Sequence, residues 1–151
     1  MGKLERHVVL MTGATSGTGQ AIARRCAAEG ASVLATGRDQ ARLDELARES
    51  PSVAVRAADP GDAAAADECV AAAIAAFGRL DGLVHCAGIV RRQEDIRDTT
   101  DQQWAQMINV NLDTSFRLAR ACLRQMAPRG TGSIVLAGSQ LAQVAAAGYA
   151  S

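Results

Sequence analysis

The residues best suited to chemistry gather near the start of the chain, in the run Thr12-Gly13-Ala14-Thr15-Ser16-Gly17-Thr18-Gly19. Glycines at this spacing allow a tight turn from strand to helix and let an anion approach bare main chain. A helix opening after such a turn offers unpaired N–H groups and its positive dipole end, which suits a diphosphate. A P-loop would close on Gly-Lys followed by Ser or Thr. Gln20 follows Gly19 here, so the turn does not read as that of a triphosphate hydrolase. The bland alternative is a purely structural turn.

The elements that must position this turn alternate along the chain. Five short β-like runs are Val8 to Thr12, Ser32 to Thr36, Val53 to Ala57, Leu83 to Cys86 and Ser133 to Ala137. Several are nearly all apolar, as expected of strands covered on both faces. Helical stretches lie between them. Gly17 to Glu29 stops at Gly30, Asp39 to Arg48 precedes Pro51, and Asp62 to Phe77 stops at Gly78. Thr100 and Gln103 form a capping box that opens a helix running, with room for a break, to about Met126. Its apolar stripe reads as Leu112, Phe116, Ala119, Leu123 and Met126. The alternation predicts one α/β domain over residues 1–151, an open, doubly wound parallel sheet. In such sheets ligands bind beyond the carboxyl ends of the strands.

Composition narrows the function. Sixteen basic and sixteen acidic side chains cancel, which argues against nucleic acid or an anionic membrane as partner. The four aromatics (Phe77, Trp104, Phe116, Tyr149) offer little for base stacking. No apolar run approaches the roughly 20 residues of a membrane helix, and the polar start of the chain lacks a signal-peptide core. Cys26, Cys69, Cys86 and Cys122 show no CxxC pair, so no metal site is expected and all four read as reduced thiols in or near the core. A cytoplasmic location follows as the expectation.

Four motifs in order then resemble the short-chain dehydrogenase/reductase family. Besides TGATSGTG, the stretch Leu80-Asp81-Gly82-Leu83-Val84-His85-Cys86-Ala87-Gly88-Ile89 is similar to the family's D-x-L-V-N-N-A-G-I. Asn109-Val110-Asn111-Leu112 is similar to N-V-N-L, and Gly132 to Ser139 resembles the strand that ends in the active-site serine. A methyltransferase with a similar glycine turn would leave these later motifs unexplained. The resemblance covers essentially the whole chain and implies a Rossmann-like sheet with strand order 3-2-1-4-5. It also implies an NAD(P)-dependent oxidoreductase that interconverts an alcohol and a carbonyl.

Carried onto this sequence, the resemblance assigns cofactor contacts to Gly13, Thr15, Ser16, Gly17, Thr18, Gly19, Arg38, Asp59, Ala87 and Gly88. NAD-preferring members place an acid at the end of the second strand. Gly37 stands there, followed by Arg38, whose guanidinium suits a 2′-phosphate, so NADP is favoured over NAD. Asp39 beside it could partly neutralise that charge. Asp59 matches the acidic contact to the adenine amino group, while Pro60 lacks the N–H often used on the ring. Helix capping near Asp62 is the other reading of Asp59. Ala87 and Gly88 should lie under the nicotinamide ribose. His85 and Cys86 replace two asparagines, which loses amide bonds in the sheet. His85 reads as a packed substitute rather than a base. Arg91 to Asp95 reads as a mixed-charge surface loop.

The implied catalytic set is a serine, an asparagine, a tyrosine and a lysine four residues after the tyrosine. Ser139 and Asn111 match the first two. The tyrosine commonly follows the serine by thirteen residues, which from Ser139 falls at position 152, one past Ser151. Tyr149 is the alternative, but its lysine would fall at position 153. The expectation is an N-terminal portion of a longer reductase, or a truncated reading frame, inactive by itself. The competing class is a catalytically silent nucleotide-binding or interaction module of the same origin. The family also implies a small-molecule substrate and, for the full-length protein, a homo-oligomer.

Overall fold

A computed structural model describes residues 2–59, 61–91 and 95–144. Five parallel strands, β1 (Val8–Thr12), β2 (Ser32–Gly37), β3 (Val53–Ala57), β4 (Gly82–His85) and β5 (Ser133–Leu136), lie in the order β3-β2-β1-β4-β5. The expected strand order is therefore observed. All of β1 is buried, and Val9 sits opposite both Val33 and Gly82.

Helices cover both faces, which is why these strands lack polar alternation. Val8, Leu10, Leu34 and Leu83 pack with α3 (Ala65–Phe77) and α5 (Thr114–Met126). Val9, Met11, Val33 and Ala35 pack with α1 (Gly17–Ala28) and α2 (Gln40–Glu49). Gly78, in the left-handed region, ends α3 as expected. That helix begins at Ala65 rather than Asp62, because the Asp62 carboxylate accepts the Ala64 N–H at 2.9 Å and holds a turn. Thr100 and Gln103 form the reciprocal box that opens α4 (Asp101–Ile108).

The long helix is broken by a wider π turn, Asn109–Asp113, between α4 and α5. This corrects the expected apolar stripe. Val110, Thr114, Leu118, Ala121, Cys122 and Met126 face inward, whereas Leu112, Phe116 and Leu123 are 60%, 61% and 49% exposed. The inward side packs on α3 and the sheet, with Leu118 and Met126 set among the smaller Thr114, Ala121 and Cys122, while Leu112, Phe116 and Leu123 lie on the other side. Cys26, Cys69 and Cys122 are buried free thiols and Cys86 is half-buried. Burial pushes the Cys122 thiol up to about 12.

At the amino end of the sheet, Asp81 ties the strands together. Its carboxylate accepts the Val8 N–H at 3.0 Å and pairs with Arg79 at 2.7 Å and Arg129 at 2.8 Å. Among the described residues β5 pairs with β4 alone, leaving Val135 and Leu136 about half exposed. No helix there is long and apolar enough to cross a membrane.

Candidate functional site

A cleft of about 350 Å³ opens at the carboxyl ends of the strands. Its walls include all ten residues assigned to a cofactor: Gly13, Thr15 to Gly19, Arg38, Asp59, Ala87 and Gly88. The topology explains the gathering. The order reverses between β2 and β4 around β1, so the loops after β1, β2, β3 and β4 converge.

The glycine turn is built for close approach. Gly13 has φ +73°, and a Cβ there would come within 2.7 Å of the Ala87 nitrogen. At Gly19 a Cβ would meet the Gly13 carbonyl oxygen at 2.2 Å. Ser16 caps α1 in extended backbone without placing its side chain on the first-turn N–H groups. Those N–H groups face the cleft with no intrahelical acceptor. The cradle and the uncapped helix start fit a diphosphate.

The loop after β2 carries the positive charge. Arg38 is exposed at the cleft and makes no hydrogen bond or ion pair with another described residue. Asp39 does not neutralise it: its carboxylate accepts the Arg42 N–H at 3.2 Å and pairs with the Arg42 guanidinium at 3.4 Å. Arg42 in turn donates to the Thr15 carbonyl at 3.1 Å, fastening α2 to the glycine turn. Thr15 lies over Gly37, so a Cβ there would meet Thr15 Cγ2 at 2.5 Å.

Asp59 both lines the cleft and shapes its own turn, accepting the Gly61 N–H at 2.9 Å. The expectation about Pro60 lies outside the described residues.

His85 does bond within the sheet. Its Nδ1 lies 2.6 Å from Thr12 Oγ1, while Nε2 has no partner. Burial holds its imidazole below the ordinary range, so it is neutral at pH 7. Its side chain is packed on the α3 and α5 side, as Leu83 is two residues earlier.

Asn111 and Ser139 stand apart from the cleft lining. The Asn111 amide bonds at both ends to one residue, accepting the Ile89 N–H at 2.8 Å and donating to the Ile89 carbonyl at 2.9 Å. It thereby holds the loop after β4, and a Cβ on Gly88 would sit 3.2 Å from its Oδ1. Ser115 donates to the Asn111 carbonyl at 2.9 Å. Ser139 follows β5, is exposed, and its Oγ accepts the Leu141 N–H at 3.1 Å. Tyr149 lies outside the described residues, as do Arg92 to Glu94.

Sequence reasoning missed the far wall of the cleft. Gln106, Val110, Thr114, Arg117 and Leu118 come from the long helix. The four-residue spacing of Gln106, Val110, Thr114 and Leu118 was the available signal, masked by the bulkier stripe beside it.

Known proteins share this architecture. The family model described as short chain dehydrogenase matches residues 7–151. A short chain dehydrogenase, ausX, of Penicillium brasilianum is 36% identical over 93% of this chain and 54% of its own length. The 2-keto-3-deoxy-L-fuconate dehydrogenase of Xanthomonas campestris is 38% identical over 88% of this chain and 43% of its own. The solved structure of a short-chain dehydrogenase from Streptomyces avermitilis superposes with TM-score 0.88 at 35% identity, covering 94% of this chain and 52% of that one. The chain spans about half the length of the relatives it matches. With the family's strand order, glycine turn and sequence pattern all present, the chain belongs to the short-chain dehydrogenase family.

Proposed function

We propose that this chain carries the nucleotide-binding part of an NAD(P)-dependent oxidoreductase that interconverts an alcohol and a carbonyl. One observation carries the reading: the glycine turn, uncapped at the start of α1, closes on the main chain of Ala87 within a single cleft. The first-turn N–H groups of α1 hold the diphosphate, Asp59 takes the adenine amino group, and Ala87 with Gly88 floor the nicotinamide ribose. The bound cofactor supplies or accepts the hydride. In this reading Ser139, which follows β5, orients a substrate oxygen, and Asn111 fixes the loop after β4.

NADP is the favoured form. Arg38 has no hydrogen-bond or ion-pair partner among the described residues, and Thr15 fills the space that an acid at position 37 would need. A relative from Shigella flexneri, named NADP-dependent 3-hydroxy acid dehydrogenase YdfG, is 36% identical over 87% of this chain.

The second reading is a silent nucleotide-binding module. It rests on Asn111, whose amide is bonded to Ile89 and stands outside the cleft lining. We further read the substrate as a small molecule, the setting as cytoplasmic, and the outward stripe of Leu112, Phe116 and Leu123 as the contact for a second copy.

Fluorescence titration with NADPH and NADH tests the reading. Saturable binding with NADPH the tighter ligand supports it; a folded chain, by circular dichroism, that binds neither overturns it.

A further inference from the structure

The π turn reaches two loops at once. Asn111 grips Ile89, and two residues earlier Asn109 grips the turn after β3. Asn109 Nδ2 donates to the Gly61 carbonyl at 2.9 Å, and Asn109 Oδ1 accepts from Arg117 Nη1 at 2.7 Å. The amide orientation is fixed by chemistry, since a carbonyl only accepts and a guanidinium only donates. Arg117 is itself partly buried and reaches Asp113 at 3.5 Å.

Gly61 is therefore held at both ends. Asp59 Oδ1 takes its N–H at 2.9 Å and Asn109 takes its carbonyl. A Cβ on Gly61 would lie 3.2 Å from Asn109 Nδ2 and 3.4 Å from Asp59 Oδ1, so the three groups are packed as one unit. Asp59 Oδ2 keeps no partner among the described residues, and Asp59 is one of the residues lining the cleft. The direction in which that oxygen points is set by the Gly61 peptide, and the Gly61 peptide is set by Asn109.

We propose that Asn109, itself oriented by Arg117, is a positioning residue for adenine recognition: it aims Asp59 at the base through Gly61. The inference rests on the dinucleotide reading above and deepens it. Its signature is selectivity rather than affinity. An exocyclic amino group donates to a carboxylate, and the carbonyl that replaces it in hypoxanthine cannot.

The test is equilibrium binding of NADP and of its hypoxanthine counterpart to the chain, to Asn109→Ala and to Arg117→Gln. Wild type should prefer adenine by about tenfold, as one charge-assisted hydrogen bond would give. Both variants should bind the two ligands within about threefold of each other. A variant that weakens both ligands equally and keeps the wild-type preference would overturn the proposal, since a merely structural residue behaves in that way. Equal binding of the two ligands by wild type overturns it too, by removing the Asp59 contact. Should Asn109→Ala fail to fold, Arg117→Gln decides between the same outcomes. Wild type that binds neither ligand removes the dinucleotide reading itself, and this inference with it.

Discussion

Thr12 and His85 are joined side chain to side chain at 2.6 Å, across the β1–β4 pair whose register sets them opposite each other. The bond satisfies one ring nitrogen and leaves Nε2 buried without a partner. Burial lowers the folded-state pKa beneath the ordinary 6.5, so the unfolded chain binds this proton first as pH falls. The contribution to stability is complete above that ordinary value and is lost as pH drops toward the folded one. Thermal melts from pH 7 to pH 5 should show a declining Tm, the unfolding free energy falling by at most about 1.4 kcal/mol per pH unit from this group. His85→Asn should flatten that slope. An unchanged slope would remove His85 as its source.

Asp81 supplies a second acid-sensitive element in a lower window. Desolvation raises its pKa, but the Arg79 bond, the Val8 N–H and the charges of Arg79 and Arg129 outweigh it and lower the net value. Its contribution is present above the ordinary 3.8 and disappears as pH falls toward the folded value. Asp81→Asn keeps the shape and removes the charge. Chemical denaturation at pH 7 should register a loss of about 1 kcal/mol, because the Val8 N–H and two partly exposed guanidiniums lose a charged acceptor.

Cofactor preference should depend on three residues: Thr15 in the loop after β1, Gly37 at the end of β2 and Arg38 just beyond it. Arg38→Gln should weaken NADPH binding about tenfold or more and leave NADH nearly unchanged, since only one of the two has a 2′-phosphate. Gly37→Asp alone should impair binding of both, because its Cβ runs into Thr15. Gly37→Asp combined with Thr15→Gly should recover NADH. Direct titration of the four proteins with both cofactors decides; an NADH-selective Gly37→Asp single variant would refute the steric argument.

The outward stripe of α5 predicts self-association. Phe116 is 61% exposed, with the Arg120 guanidinium 4.9 Å from its ring centroid. Phe116→Glu should shift the chain to monomer in sedimentation velocity without lowering its Tm. A sedimentation coefficient independent of both concentration and this substitution would dispose of the contact.

Much of this was legible in the sequence for a physical reason. Strands covered on both faces must be apolar throughout, so β1, β2 and β4 announce themselves, and the glycines at 13 and 19 mark where backbone meets backbone. The far wall of the cleft was not legible. From the π turn through α5 two faces carry apolar residues, and size misleads: Thr114, Ala121 and Cys122 are inside with Leu118 and Met126, while Leu112, in the turn, and Phe116 are outside. Nor does residue type reveal that the Asn111 amide is committed to Ile89, or that Asp39 answers to Arg42 rather than Arg38. Those depend on which side chains the folded loops bring within reach.

The widened turn at Asn109–Asp113 has a genetic corollary. A π turn holds one residue more than an α turn, so deleting a single codon there would close it to an ordinary turn and leave Leu118 and Cys122 facing inward, whereas a deletion within α5 would rotate everything downstream by about 100°. Single-codon deletions should therefore be tolerated within Asn109–Asp113 and not within α5, and a library of them scored for soluble yield would map the borders of the turn.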